Sequence, residues 1–277
     1  MKASNSKHGK QPKPVTVTDL YAMKADGHKI VSVTAYDASF AAQVDAAGID
    51  LVLVGDSLGM VVQGHDSTLP VTVADMVYHG AAVRRGIRRA FLVVDMPFLS
   101  YASPQAAIQS AGRLMRDGGA QMVKLERAGL VLPVIEALAQ QHIPVCAHLG
   151  LTPQSIHKIG GYRVQGRSDD GAQQLLADAR AVQAAGADLL VVECVPAALA
   201  SEISHALAIP VIGIGAGLDV DGQVLVLYDV LGITAGHKPR FSRDFLAGQN
   251  GGVTGALEDY AQAVRSGQFP APEHIIA

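Results

Sequence analysis

Cysteine and tryptophan are almost absent from this sequence. Its 277 residues contain two Cys and no Trp. Two Cys are too few for a disulfide-stapled scaffold, which excludes the small secreted domains that depend on such bridges. Because Cys146 and Cys194 both lie in apolar runs, we expect them to be reduced thiols in the core of a cytoplasmic protein.

Charge is also scarce. Asp, Glu, Lys and Arg make up 17% of the chain, against roughly 25% in an ordinary soluble domain. The 22 Lys and Arg are outnumbered by 25 Asp and Glu, and the net charge is -3. No overall positive field is available for nucleic acid or an anionic membrane, so we expect small-molecule substrates instead.

Long hydrophobic runs are missing as well. The apolar runs are far shorter than the ~18 residues needed to cross a bilayer, and the N-terminus has no apolar stretch typical of a signal peptide. We therefore expect a protein that is neither secreted nor membrane-spanning. The interpretation is one barrel domain over residues 1–277, with a disordered or extended tail over about residues 1–15.

Short apolar runs are abundant, and they alternate with segments of helical periodicity. Their apolar character is continuous, which is typical of parallel strands covered on both faces. This pattern predicts a (β/α)8 TIM barrel, since no GxGxxG turn follows the first strand as in a dinucleotide-binding sheet. The seven predicted strands are 31–36, 49–56, 90–97, 120–126, 143–150, 187–196 and 209–217.

Three local assignments accompany this fold. Residues 223–232 are either the eighth strand or the helix after strand seven. Thr18 is predicted to cap the first helix and Gly27 to end it. The basic run 84–89 is predicted to be a solvated helix end.

Ionisable residues stand at the ends of five successive predicted strands. The carboxyl ends of barrel strands carry the chemistry of this fold, so these residues are the candidate site. Any one of them has a structural alternative as a helix cap or loop anchor, but five in succession favour a common site. They are Asp56, Asp95, Lys124, Glu126, His148 and Glu193.

The residue types suggest a division of roles. Asp56, Asp95 and Glu126 form an oxygen-rich set suited to Mg²⁺. Lys124 lies two residues before Glu126 and shares its face of the strand, so it either binds a substrate anion or pairs with Glu126. Glu193 follows two valines, and an apolar setting would raise its pKa toward that of a general base.

A histidine and a glycine-rich segment can each be interpreted in two ways. His148 is either a site residue or a structural histidine. Gly213, Gly215 and Gly217 either form a phosphate loop or allow close backbone packing.

Several motifs occur in an order that resembles the ketopantoate hydroxymethyltransferase family. The resemblance runs from about residue 15 to residue 265, and one departure is ERAG at 126–129, where that family more often has Glu-Gly-Gly. The motifs are VGDSLGM, VVDMPF, VKLE, HLGLTPQS, GYRVQGR, ECVP and IPVIGIGAG followed by DGQVLV.

The resemblance implies a barrel of the phosphoenolpyruvate mutase and isocitrate lyase type, assembled as a homodecamer. It implies transfer of a hydroxymethyl group from the co-substrate 5,10-methylenetetrahydrofolate to 3-methyl-2-oxobutanoate. The product is ketopantoate, formed through a Mg-stabilised enolate in the first step of pantothenate biosynthesis.

The resemblance also implies site roles. Magnesium would be held by Asp56, Asp95 and Glu126, the last two partly through water. Glu193 would accept the proton. The oxoacid would contact Asp56, Ser57, Asp95, Lys124 and His148.

Two other functions fit the same fold. A carbon–carbon lyase or mutase on a related oxoacid would be expected to carry a reactive Cys in a mobile loop, and neither Cys is predicted to lie in a loop. A non-catalytic binding or assembly protein would have no use for so many buried charges, which are costly to retain.

Overall fold

A computed structural model describes residues 13–236 and 238–276, and these form a closed barrel of eight parallel strands. Each strand pairs with the next, and the last pairs with the first. The predicted (β/α)8 barrel is confirmed. The strands are β1 Ile30–Thr34, β2 Leu51–Val54, β3 Phe91–Asp95, β4 Met122–Glu126, β5 Val145–Gly150, β6 Leu189–Glu193, β7 Val211–Ile214 and β8 Gly222–Leu225.

Helices fill most intervals between the strands. In the described part of the chain, none is long and apolar enough to cross a membrane. Short 3₁₀ turns occupy Gly129–Val131, Pro153–Ser155 and Pro272–His274. The α-helices are α1 Val17–Ala25, α2 Ala38–Ala46, α3 Leu58–Val61, α4 Val73–Gly86, α5 Pro104–Arg116, α6 Leu132–Gln140, α7 Ile156–Ile159, α8 Asp169–Ala184, α9 Ala197–Ala206, α10 Leu227–Val230 and α11 Gly252–Arg265.

The strands are buried on both faces, which explains their continuous apolar sequences. Every residue of β2 is buried, although its side chains alternate between the barrel interior and the surrounding helices. The same holds for β3 and β4, including the charged residues near their carboxyl ends. The barrel wall therefore holds these ionisable side chains in a closely packed setting.

The β7–β8 connection departs from the regular pattern. Residues 215–221 join these strands without a helix, and β8 is followed almost at once by α10. The segment 223–232 therefore contains most of the eighth strand and also a short helix. The two predicted alternatives, strand or helix, are each correct for part of the segment. Gly222 begins β8 in close contact with β1, because a Cβ at this position would lie 2.2 Å from the Ile30 carbonyl oxygen.

The first helix begins two residues earlier than predicted. Thr16, rather than Thr18, is the N-cap, because Asp19 stands three residues after it and completes a capping box. Asp19 N–H donates to Thr16 Oγ1 at 3.3 Å, and Thr16 N–H donates to an Asp19 carboxylate oxygen at 2.9 Å. The predicted tail lies mostly outside the described residues, while Val15 already packs into the core.

The basic run at 84–89 is not purely a solvated helix end. The Arg89 guanidinium reaches inward and pairs with the buried Asp50 carboxylate at 2.6 Å. The prediction was wrong for Arg89 because its partner, the residue immediately before β2, lies about forty residues away in the sequence.

Candidate active site

The barrel brings the predicted site residues together at the carboxyl ends of β2 to β6. Five of the six ionisable side chains are almost completely buried. Glu193 is the exception, with 14% of its side chain exposed, so it lies nearest to solvent. Ionised groups in such a setting need partners, and their pairing decides what chemistry they can perform.

Lys124 pairs with Asp95 on the neighbouring strand. Its ammonium lies 2.6 Å from Asp95 Oδ1. This ion pair is formed with Asp95 and not with Glu126, the partner that the sequence suggested. Burial lowers the pKa of Lys124, but the surrounding carboxylates outweigh burial and raise it, so the side chain stays cationic. Asp95 Oδ2 also accepts the Asp56 backbone N–H at 3.0 Å, which anchors the turn after β2.

Asp56 is a site carboxylate whose pKa is strongly raised by its surroundings. Burial raises its pKa well above the usual range, and the negative charges of Asp95 and Glu126 raise it further. The nearby Lys124 charge and a hydrogen bond from Gln154 act in the opposite direction. Ionising Asp56 is therefore unfavourable in this setting, because the site holds more carboxylates than cationic side chains.

His148 lies between two carboxylates. Its Nδ1 is 3.7 Å from Glu126 Oε1, and its Nε2 is 3.2 Å from Glu193 Oε2. Burial and the Lys124 charge lower the pKa of His148, but the two carboxylates raise it to about 9 overall. Neither ring nitrogen has a hydrogen bond of good geometry, and Glu126 Oε1 also lacks a partner. The expectation of an apolar setting for Glu193 was wrong, because the neighbouring strand places an imidazole beside it.

The donor set fits a hard divalent cation in charge and chemistry. Four carboxylates surround two cationic side chains, which leaves two negative charges unbalanced when all are ionised. Within residues 13–236 and 238–276, however, no three His, Cys, Asp or Glu side chains form a ready-made metal cluster. A cation held here would therefore complete its shell with water or substrate oxygens, as Mg²⁺ commonly does.

Sequence reasoning missed three polar residues that support the site. Tyr36, after β1, shares a 2.9 Å hydrogen bond with Ser57, and Gln154 and Tyr101 join the loops after β5 and β3. Gln154 lies within the HLGLTPQS motif, so the sequence contained a signal, but its partners are distant in the chain. Nothing local to Tyr36 or Tyr101 indicated their role.

The GYRVQGR motif contributes a side chain above the site. Burial raises the pKa of Tyr162, and the nearby charges of Glu193 and Asp56 raise it further. The Tyr162 hydroxyl donates to Met60 Sδ at 3.3 Å, linking the loop before α8 to α3. This motif therefore lies beside the carboxylates.

The glycine-rich segment after β7 is explained by close packing. Gly215 and Gly217 have positive φ values of 60° and 82°, which favour glycine. A Cβ on Gly217 would lie 2.5 Å from Ala197 Cβ, and one on Gly215 would lie 2.8 Å from the Phe241 ring. Of the two interpretations, the packing one accounts for these residues.

Both cysteines are free and buried, as predicted. Cys146 lies in β5, and burial raises the pKa of its thiol to about 12. Cys194 lies in the turn after β6 with a φ of 49°, so the expectation that neither cysteine lies in a loop was wrong for it. The turn is held where the Cys194 N–H donates to the Ile214 carbonyl, and burial raises the pKa of this thiol too.

Comparison with solved structures supports the barrel fold. A 2,3-dimethylmalate lyase, described as a member of the PEP mutase/isocitrate lyase superfamily, aligns with a TM-score of 0.58 and 18% identity over 80% of this chain and 84% of that chain. A phosphonopyruvate hydrolase in complex with oxalate and Mg²⁺ aligns with a TM-score of 0.59 and 13% identity, over 76% and 80%. At these identities the likeness concerns the fold alone.

Sequence comparison is more specific. The family described as ketopantoate hydroxymethyltransferase matches residues 14–272. Proteins named 3-methyl-2-oxobutanoate hydroxymethyltransferase include one from Shewanella loihica, 57% identical over 95% of this chain and 99% of that protein. Another, from Xylella fastidiosa, is 59% identical over 95% and 96%. Because these matches span nearly the whole chain, it belongs to the ketopantoate hydroxymethyltransferase family of transferase enzymes.

Proposed function

We propose that this chain transfers a hydroxymethyl group from 5,10-methylenetetrahydrofolate to 3-methyl-2-oxobutanoate, forming ketopantoate in the first step of pantothenate biosynthesis. A new carbon–carbon bond joins C3 of the oxoacid to the transferred carbon, while the C3–H bond and both carbon–nitrogen bonds of the folate methylene bridge break. Water supplies the hydroxyl group, the C3 proton and the remaining water proton end on the two folate nitrogens, and tetrahydrofolate leaves. The observation that carries the proposal is the cluster of buried carboxylates with excess negative charge beside Lys124. An oxoacid activated by a divalent cation suits such a cluster.

Asp56, Asp95 and Glu126 are the proposed magnesium ligands. Asp56 is the direct ligand in this proposal, and the other two act partly through water. A bound Mg²⁺ would act as a Lewis acid toward the keto oxygen and would offset the excess negative charge. Glu126 Oε1 lies 3.7 Å from His148 Nδ1 but accepts no hydrogen bond, and this supports the assignment, because a buried carboxylate oxygen without a hydrogen bond is costly unless a ligand binds it.

Lys124, Ser57 and His148 are proposed to orient the oxoacid, together with Asp56 and Asp95. The Lys124 ammonium is held rigidly by Asp95, so it presents fixed positive charge to an anionic substrate. Ser57 is oriented by its hydrogen bond with Tyr36. His148, flanked by two carboxylates, contributes a second positive charge at neutral pH.

Glu193 is proposed to remove the proton from C3. It is the site carboxylate nearest to solvent, and it is not among the proposed magnesium ligands. The imidazole of His148, 3.2 Å away, keeps the carboxylate in place. A general base must lie within reach of the proton that it removes, and the ion pair with His148 restricts where the Glu193 carboxylate can lie.

The decisive experiment is an assay for ketopantoate formation from the two substrates, with and without EDTA. We expect folate-dependent turnover that EDTA abolishes and added Mg²⁺ restores. Turnover that EDTA leaves unchanged would contradict the metal assignment. Absence of turnover with Mg²⁺ present would contradict the activity.

The remaining features are also proposals. We infer a cytoplasmic homodecamer in which each chain is a single barrel domain over residues 1–277. Large apolar side chains exposed on the isolated chain, such as Leu99 and Leu130, are of the kind that subunit contacts bury. Sedimentation velocity on the purified protein tests the assembly, and a monomer at micromolar concentration would contradict it.

A further inference from the structure

The side-chain amide of Gln154 lies where the loops after β2, β3 and β5 meet. Gln154 is buried in the 3₁₀ turn Pro153–Ser155. Its Nε2 donates to Asp56 Oδ2 at 2.8 Å and to the Met96 carbonyl oxygen at 2.9 Å. Its Oε1 accepts the Tyr101 hydroxyl at 2.5 Å. One neutral amide therefore satisfies three partners from two other loops, those after β2 and β3.

The orientation of this amide is determined by its neighbours. The Met96 carbonyl can only accept a hydrogen bond, so it requires the NH₂ side of the amide. Tyr101 accepts from the Glu126 N–H at 3.4 Å, which leaves its own proton for Gln154 Oε1. If the amide were flipped, its own oxygen would face the Asp56 carboxylate oxygen and the Met96 carbonyl oxygen, and neither pair could form a hydrogen bond. The NH₂ group is thus held toward Asp56.

The main chain of the same residue holds a second carboxylate. The Gln154 backbone N–H donates to Glu126 Oε2 at 3.0 Å. Gln154 therefore binds one oxygen from Asp56 and one from Glu126. The other oxygen of Glu126 has no hydrogen-bond partner.

We infer that Gln154 is a positioning residue that keeps Asp56 and Glu126 oriented with one oxygen each available to a divalent cation. The inference rests on the proposed function, which assigns these carboxylates to Mg²⁺. A neutral donor suits the task, because it orients a carboxylate without cancelling the charge that attracts the cation. Tyr101 acts one step further away by fixing the amide.

The test is Mg²⁺ binding to the metal-free protein, measured by isothermal titration calorimetry without substrates. Gln154→Met keeps the side-chain length and removes the amide. We expect Kd to rise by about 10- to 100-fold, the usual effect of removing a group that orients a metal ligand. Tyr101→Phe should raise Kd by a smaller factor in the same direction.

Gln174→Met is the matched control. Gln174 Nε2 also donates to an aspartate, Asp178, at 2.9 Å, but on the exposed surface of α8. This variant loses an amide–carboxylate hydrogen bond of the same kind outside the site. We expect its Kd for Mg²⁺ to equal that of the wild type.

Two comparisons separate positioning from a general structural role. A purely structural role would lower the melting temperature and the number of Mg²⁺ sites per chain, but it would leave Kd of the folded molecules unchanged. That outcome would overturn the inference. In the double variant, Tyr101→Phe should add little to Gln154→Met, because its effect passes through the missing amide. Additive losses would overturn the proposed link.

Failure of the inference is distinguishable from failure of the proposed function. A wild type that binds no Mg²⁺ would contradict both. A wild type that binds Mg²⁺ and forms ketopantoate, beside a Gln154→Met variant with unchanged Kd, would contradict only the role of Gln154.

Discussion

The two ends of the barrel contain similar ionisable residues, but the ends differ in how fully these residues are paired. At the amino ends of the strands, which we term the lower rim, carboxylates accept backbone hydrogen bonds, and Asp50 and Asp221 also pair with cationic side chains. Asp50 is held by Arg89 at 2.6 Å, by Arg265 at 3.1 Å and by the Val31 N–H at 3.1 Å. At the carboxyl ends, the upper rim, buried carboxylates face one another and several polar atoms lack partners.

The lower rim also has a repeated arrangement. The residue before each even-numbered strand accepts a hydrogen bond from a backbone N–H of the preceding odd-numbered strand. This holds for Asp50, Gln121, Asp188 and Asp221. Asp221 pairs in addition with Lys24 at 2.6 Å. These side chains satisfy strand ends that would otherwise be unpaired, so the lower rim contributes to stability.

This contrast in pairing distinguishes charged residues that stabilise the fold from charged residues that bind a ligand. A buried charge that serves the fold is neutralised and hydrogen-bonded by the fold itself. A buried charge left without compensation destabilises the free protein, and such a group is retained where a ligand supplies what is missing. Substitutions at the two rims should therefore differ in whether they change activity or stability.

The largest effect is expected at Glu193. Glu193→Gln keeps size and hydrogen bonding but removes the basic oxygen, so exchange of the C3 hydrogen of 3-methyl-2-oxobutanoate in deuterium oxide should fall by roughly 10²- to 10⁴-fold. NMR measures this exchange without the folate substrate. Binding of Mg²⁺ and of the oxoacid, measured in parallel, should persist. Exchange at the wild-type rate would assign the base to another group.

At the lower rim, Asp50→Asn should reduce stability. It removes the charge that faces two arginines, and we expect a loss of about 2 kcal/mol in the free energy of unfolding. The loss should be below that of a fully buried pair, because the side chains of Arg89 and Arg265 are 27% and 40% exposed. Denaturant titration measures it. An unchanged midpoint would show that the lower rim does not depend on this charge.

At the upper rim, the matched substitution Asp56→Asn should act in the opposite direction on stability. Asn keeps an oxygen for the Gln154 hydrogen bond and removes the repulsion from Asp95 and Glu126. We expect the metal-free variant to gain about 1 kcal/mol, or roughly 2–4 °C in Tm for a chain of this size class. Activity should be lost at the same time. A lower Tm would contradict the proposed excess of negative charge.

The smallest effect is expected beside the site at Arg127. Its φ is 80°, a left-handed conformation that favours glycine. Arg127→Gly should be more stable than Arg127→Ala by about 1 kcal/mol, because both lose the charge but only one relieves the strain. Thermal unfolding of the two variants compares them directly. Equal melting temperatures would show that the conformation is not strained.

Local patterns in the sequence predicted much of this molecule. Seven strands were identified because each is a short apolar run, and the eighth was ambiguous because β8 merges with α10 in one such run. The order of ionisable residues at strand ends was likewise local information. The predicted cap at Thr18 was wrong, although a local signal for Thr16 exists in Asp19, which stands three residues after it and completes the capping box.

The partners of those residues were not predictable in the same way. Lys124 contacts Asp95 across 29 positions of sequence, and Gln154 contacts Asp56 across 98. Such pairs depend on the register between strands and on the direction in which each loop leaves the barrel. The pairing of Glu193 with His148 also replaced an expected apolar setting, for the same reason.

The parallel barrel and the family were thus predictable from the amino-acid sequence, since strand periodicity and ordered motifs are properties of consecutive residues. The same is true of the ionisable residues that end neighbouring strands. Which charges are paired at the lower rim, and which carboxylates at the upper rim outnumber their cationic partners, became clear from the folded chain alone. That balance depends on closure of the barrel, because burial and distances between strands set the energy of each charge.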